Sequence, residues 1–116
     1  MPTQKDVLVD GVRWRVREEG SGPPLVLVHG FFSSSYTWLK VFPYFSSDFH
    51  VIAVDLPGFG YSDRPQGFDH SATGEAKALA RFLEVYGISK AVVMGNSIGG
   101  AIAMLLAALR DRKSVV

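Results

Sequence analysis

The chain has 116 residues, 47% hydrophobic and 20% charged, enough for one small domain with a real core and too apolar for a disordered segment. A formal net charge of +1 excludes a strongly basic nucleic-acid surface and an acidic tail. The absence of cysteine excludes disulfides, zinc–thiolate sites and thiol catalysis, and the longest apolar run, residues 98–109, falls short of the roughly 18–20 residues of a membrane span. No long apolar stretch follows the first residues, so a secretory signal is not expected and a cytoplasmic location is.

Val7 to Val9, then Asp10-Gly11, then Val12 to Arg17 read as a hairpin, because Asp-Gly accepts the positive φ values of a two-residue type I′ turn. In the second strand Val12, Trp14 and Val16 alternate with Arg13, Arg15 and Arg17, which predicts one buried and one wet face, as in an antiparallel outer strand. The arginines read more simply as a solvated edge face than as an anion site. Three continuously apolar runs follow: Leu25 to Val28, Val51 to Val54 and Ala91 to Met94. Both faces of such runs are covered, which marks central parallel strands. Each ends in a glycine-bearing loop.

Helices are predicted between and after these strands. Residues 37–45 are weakly helical around Trp38, Val41, Phe42 and Phe45, with Pro43 expected to shorten the segment. Residues 74–86 place Leu79, Phe82, Leu83 and Tyr86 on one helical face, and Gly87 is the stop signal. Residues 97–109 are apolar all round, as in a helix packed inside a larger protein. A hairpin followed by strand–helix alternation gives an α/β class: a mostly parallel sheet with helices on both faces. Ligands in such sheets collect at the carboxyl ends of the strands, where Phe31, the loop 57–62 and Ser97 fall.

Gly95-Asn96-Ser97-Ile98-Gly99 stands between the last apolar strand and the last helix. G-x-S-x-G in that context is the signature of a nucleophile elbow. Alone it is modest evidence in a chain with 12 glycines, and a serine capping an ordinary helix is the competing reading. Two other loops at the same sheet edge favour the elbow. His29-Gly30 follows the third strand, where a second oxyanion donor is needed. Asp55-x-Pro57-Gly58-x-Gly60-x-Ser62 follows the fourth.

With Gly95-x-Ser97-x-Gly99-Gly100, these stretches make the chain resemble the N-terminal half of an α/β-hydrolase fold protein. Within that family it is similar to the esterase, perhydrolase/haloperoxidase and carbon–carbon hydrolase relatives. The order and spacing match over nearly the whole chain. The resemblance implies that Ser97 is the nucleophile and that the amides of Phe31 and Ile98 form the oxyanion hole. It gives Gly95, Gly99, Gly100, His29, Gly30 and Asp55 structural roles. A serine in the elbow resembles the acyl-transfer members rather than haloalkane dehalogenases and epoxide hydrolases, which use a carboxylate nucleophile. The implied substrate is a small-molecule ester or related acyl compound, with no metal and no cofactor. Phe31, Phe32, Trp38 and Phe59 are candidates both for an acyl pocket and for plain core.

The acid and base of a triad are not evident. In this family they follow the serine in the order acid, then histidine. Only 19 residues follow Ser97, none of them histidine, and their one acid, Asp111, lies about 21 Å away along a continuous helix. His50 starts the fourth strand, about 17 Å from the functional edge at 3.3 Å per residue. His29 is structural in the family, and His70 beside Ser71 reads as a helix-start or surface residue. Residues 110–113 are expected to close the last helix, and Ser114 to Val116 to open a further strand. The chain thus reads as a single truncated domain, residues 1–116, with self-association expected through the exposed edge of the fifth strand. No nucleic acid or membrane partner is expected.

Two further classes remain as alternatives. One is a non-catalytic ligand-binding relative that keeps the pocket. The other is a nucleotide-binding domain, which the turn disfavours because it lacks G-x-G-x-x-G. The expectation is little or no hydrolase turnover by this chain alone. A p-nitrophenyl ester assay checks it, and robust turnover abolished by Ser97→Ala overturns it.

Overall fold

A computed structural model describes residues 2–109 and 114–115. β1 (Thr3–Val9) and β2 (Val12–Glu19) are joined by Asp10 and Gly11 at φ 49° and 84°, the type I′ turn that the Asp-Gly pair predicts. β2 pairs antiparallel with β4 (His50–Val54). From there the sheet is parallel: β4 with β3 (Pro24–Val28), β3 with β5 (Ala91–Gly95), and β5 with a two-residue β6 (Ser114–Val115). The strand order is β1-β2-β4-β3-β5-β6. The chain therefore leaves β3 in one direction and returns on its other side, a reversal that opens a crevice between the ends of β3 and β5.

The continuous apolar runs cover two faces at once. Val26, Val28, Ile52 and Val54 pack with Trp14 and Val16 against α2 (Ala72–Tyr86) and α3 (Ile98–Leu109). Their alternates Leu25, Leu27, Val51 and Ala53 pack with Trp38, Phe42 and Phe45 on the opposite face. The period of two in a strand turns one uniform stretch into two cores. α2 faces inward with Ala76, Leu79, Phe82 and Leu83, and Phe82 stacks 4.8 Å from the Trp14 ring. Its end at Gly87 is as the sequence predicts, whereas its start at Ala72 lies two residues before the expected Gly74. Ser71 accepts from the Gly74 N–H at 3.1 Å, and Gly87 takes the left-handed conformation at φ 84°. α3 buries Gly99, Ile102, Ala103 and Leu106 but leaves Met104 exposed, so it is covered on one side only.

Four expectations need correction. β2 is not an outer strand, because β1 forms the edge beside it. Arg17 is not on a wet face. It is registered with Ala53, on the side covered by the short 3-10 turn Ser35–Trp38, and is buried beneath that turn. Its Nε donates to Ser35 Oγ at 3.0 Å, and its guanidinium lies 5.6 Å over the Tyr36 ring. The segment 37–45 is not one helix. It is that 3-10 turn followed by α1 (Phe42–Phe45), and Pro43 sits in the first turn of α1, where a missing N–H breaks no bond. The edge of β5 is not wholly open, since Ala91 and Val92 pair with Ser114 and Val115. The reading of Arg110 to Lys113, including Asp111, lies outside the described residues.

Among the described residues, no helix is long and apolar enough to cross a membrane. At the start of β4, away from the loops that carry the motifs, Glu18 gathers three partners: Lys5 Nζ at 2.5 Å, His50 Nε2 at 2.8 Å and the Tyr86 hydroxyl at 2.6 Å. They tie β1, β2, β4 and α2 together. Burial raises the Glu18 carboxyl, but hydrogen bonds from Lys5, Tyr86 and His50 outweigh it and hold it at about 2. A carboxyl lowered on folding stabilises the fold above its ordinary value of 4.5, and that contribution is lost as pH falls through about 2. Glu18→Gln is therefore expected to lower the unfolding free energy by about 2 kcal/mol at neutral pH, a deficit that shrinks in acid. Denaturant titrations of both proteins at neutral and acid pH check it.

Candidate active site

β3, β4 and β5 end level with one another, Val28 beside Val54 and Gly95. Their carboxyl ends carry the three loops singled out in the sequence. After β5 the chain turns sharply into α3. Ser97 sits at the apex with φ 59°, a conformation that L residues rarely adopt and that costs about 1–3 kcal/mol. It is exposed. The turn closes through Gly99 N–H to the Asn96 carbonyl and Gly100 N–H to the Ser97 carbonyl, both at 2.9 Å.

Two glycines make that turn sterically allowed. A Cβ on Gly95 would collide with the backbone of Gly99 and Gly100, and a Cβ on Gly99 with the carbonyls of Val28 and His29. The start of α3 is thereby packed directly on the end of β3. Gly30 completes the contact: a Cβ there would stand 3.3 Å from the Asn96 carbonyl oxygen and 3.5 Å from Ser97 Cβ. The segment leading into Phe31 thus runs against the elbow. Ile98 opens α3, and a first-turn N–H has no acceptor within its own helix. Gly100 differs from the other two. A Cβ there meets only ordinary contact, 3.7 Å from the Gly95 carbonyl, so the turn does not require glycine at that position.

His29 and Asp55 brace the loops from below. His29 is fully buried. Its Nε2 accepts from the Leu56 N–H at 3.0 Å, which assigns the ring proton to Nδ1, where it is donated to the Gly30 carbonyl at 2.7 Å. Burial lowers its pKa and keeps it neutral. Asp55 is almost fully buried. Its Oδ1 accepts from the Ser35 N–H at 2.6 Å and its Oδ2 from the Tyr61 N–H at 2.9 Å. Ser62 closes the same loop, its hydroxyl donating to the Asp55 carbonyl at 2.6 Å and accepting from the Arg15 N–H at 2.8 Å.

The aromatic candidates separate. Phe31 and Phe59 stack at 5.7 Å beside His29, and Phe32, at φ 57°, is fully exposed. Trp38 is partly buried and packs against the core on the other face of the sheet. The three histidines are bonded elsewhere: His29 as above, His50 to Glu18, and His70 Nδ1 to Glu75 Oε2 at 2.9 Å. Among the described residues, no group of three or more His, Asp or Glu is arranged to hold a metal ion.

Sequence reasoning missed Ser35 and Arg17, which lie outside any motif, and it missed Glu75, whose helical position resembles any solvated one. The glycine geometry gives a paired expectation. Gly99→Ala is expected to cost about 2 kcal/mol or more, because the obstructing atoms are backbone. Gly100→Ala is expected to stabilise by up to about 1 kcal/mol, the helix preference of alanine over glycine. Thermal melts of both variants check the opposite signs.

The family profile described as the α/β hydrolase fold matches residues 23–116. An uncharacterized protein of Mycobacterium tuberculosis, Rv2715, is 39% identical over 106 residues, covering 91% of this chain and 31% of that protein. The 2-hydroxy-6-oxo-2,4-heptadienoate hydrolase of Pseudomonas putida is 34% identical over 104 residues, covering 87% of this chain and 38% of its own length. Haloalkane dehalogenase 2 of M. tuberculosis is 33% identical over 103 residues, covering 87% of this chain and 36% of its own length. Among solved structures, a bacterial membrane phospholipase A described as a virulence factor superposes with a TM-score of 0.94 at 35% identity, over 97% of this chain and 37% of that one. The chain spans about a third of the length of these curated relatives. The profile match covers most of the chain and the fold agrees with it, so this chain belongs to the α/β-hydrolase fold family, whose relatives include hydrolases of several kinds.

Proposed function

We propose that this chain is the nucleophile-bearing portion of a serine hydrolase that acts on carboxylic esters or related acyl bonds through an acyl-enzyme on Ser97. The observation that carries the reading is an exposed serine held at φ 59° on a strand–helix turn, with the Gly30 segment packed against it. Strain of this kind is retained where the surroundings enforce it, and it lifts the hydroxyl clear of the sheet edge.

In this reading Ser97 Oγ attacks the carbonyl carbon of the substrate, and its proton passes to a general base. The carbonyl oxygen becomes an oxyanion and accepts hydrogen bonds from the Phe31 and Ile98 amides. Those donors gain strength from the positive end of α3. The tetrahedral intermediate collapses with loss of the alcohol, protonated by the same base, and water then releases the acid. In this reading the acid and the base follow the serine in the family's order. His29 has both ring nitrogens bonded, to Gly30 and Leu56, His50 is bonded to Glu18 at the opposite end of β4, and the His70 ring is packed against Gly58, Phe59 and Phe68. Similarity to a haloalkane dehalogenase favours the fold but not that chemistry, since the elbow carries serine in place of a carboxylate nucleophile.

Added imidazole serves as an external general base in the test. Incubation with a fluorophosphonate probe is expected to give one covalent adduct on Ser97. The adduct should form faster with imidazole and disappear in Ser97→Ala. Peptide mapping by mass spectrometry reads the site. No adduct, or one that survives Ser97→Ala, overturns the reading and leaves a non-catalytic ligand-binding relative as the better account.

A further inference from the structure

Glu75 is a fully buried carboxyl in the first turn of α2. Only one of its oxygens is bonded: Oε2 accepts from His70 Nδ1 at 2.9 Å, while Oε1 is buried with no hydrogen-bond partner. A half-satisfied buried carboxyl is expensive to keep, so its position calls for an explanation. The His70 ring lies so close to Gly58 that a Cβ on Gly58 would collide with it. It meets the Phe59 ring edge-on at 6.0 Å and the Phe68 ring at 4.9 Å. Phe59 in turn stacks on Phe31 at 5.7 Å and contacts His29 at 5.3 Å. A continuous line of contacts thus runs from Glu75 through His70 and Phe59 to Phe31, beside the elbow.

We propose that Glu75 and His70 are a positioning pair that holds the loop 57–62 and, through Phe59, sets where Phe31 stands against Ser97, in a way that changes with the protonation of Glu75. The importance of Phe31 rests on the function proposed above, but the coupling itself does not. His70 lies against Gly58 and Phe59 of the loop by its ring and bonds the Glu75 carboxyl through Nδ1, so a change in that bond moves the ring that supports Phe59. The ionised form of Glu75 makes that bond charge-assisted, whereas the neutral form makes an ordinary one.

The electrostatics put this change near neutrality. Burial pushes Glu75 up to about 7, against the hydrogen bond and charge of His70, and nearby Asp69 pushes it in the same direction as burial. Asp69 is itself held low by its bonds to Ser71, and Lys77 and His70 also act on it. These are the charged groups that meet the pair from the loop before α2 and from α2 itself. Because the folded carboxyl sits above its ordinary 4.5, the fold binds the extra proton below about 7, and the contribution of Glu75 to stability falls as pH rises through that value.

The test reads structure, not catalysis. A nuclear magnetic resonance titration follows the Glu75 carboxyl carbon, the His70 ring nitrogens and the Phe31 backbone amide across neutral pH. The expected result is one shared midpoint near 7 for Glu75 and the Phe31 amide, and loss of the Phe31 step in Glu75→Gln and in His70→Phe. A Phe31 amide that stays flat while Glu75 titrates overturns the proposal, as does a Glu75 midpoint near 4.5, or a Phe31 step that survives Glu75→Gln. The wild-type titration decides by itself if a variant does not fold. A serine that fails to react with fluorophosphonate leaves this result untouched, so the two readings fail separately.

Discussion

The arrangement of the functional edge depends on one buried carboxylate. Asp55 stands at the end of β4 and accepts backbone N–H bonds from both sides, from Ser35 and from Tyr61. A buried carboxylate is tolerated only when its oxygens are well bonded, and charge-assisted bonds of this length are among the stronger ones in a protein. The same bonds determine the chain's path twice over. The Ser35 bond holds the 3-10 turn over the sheet, which buries Arg17 and brings its guanidinium to the Ser35 hydroxyl. The Tyr61 bond folds the loop 57–62 back on itself, and Ser62 ties that loop to β2 through the Arg15 N–H. Phe59 rides on this loop, so its stacking on Phe31 follows from a carboxylate with which neither ring is in hydrogen-bonded contact.

A second constraint is steric. The crevice between β3 and β5 is closed at its base by backbone lying against backbone, through Gly95, Gly99 and Gly30. Side chains at those places would hold the start of α3 away from β3. The strain at Ser97 persists because the elements on either side cannot relax: β5 is paired with β3, and α3 is packed on the β3 carbonyls. His29 works at the same junction. It bonds the Gly30 carbonyl with one nitrogen and Leu56 with the other, which couples the ends of β3 and β4 without any charge.

The parts legible in the sequence were those with a local cause. The Asp-Gly turn, the Gly87 stop and the Gly95–Ser97–Gly99 elbow each need a particular backbone shape, and few residue types supply it. The continuous apolar strands were legible because only a doubly covered sheet makes them soluble. The rest depends on what arrives from far along the chain. Arg17 looks like Arg13 and Arg15 in the strand pattern, yet only Arg17 lies beneath the turn that Asp55 holds. Arg13 and Arg15 instead pair with Asp6 on the exposed hairpin. Pro43 signals a break but not on which side of it the helix lies. Gly100 shares its composition with Gly99, and only the distance to the opposing backbone separates a required glycine from a tolerated one.

The two ends of the sheet handle buried charge in opposite ways. At the start of β4, Glu18 gathers three donors, and its carboxyl falls to about 2. At the other end, Glu75 has one donor and an unbonded oxygen, and its carboxyl rises to about 7. The first is a fixed anion across the neutral range and serves to fasten four elements. The second sits where a small change in surroundings alters its charge. A group built only for stability gains nothing from that placement, since an apolar residue of similar volume would avoid the desolvation cost. Its location at the edge that carries the elbow, one ring removed from Phe59, is what gives its titration something to act on.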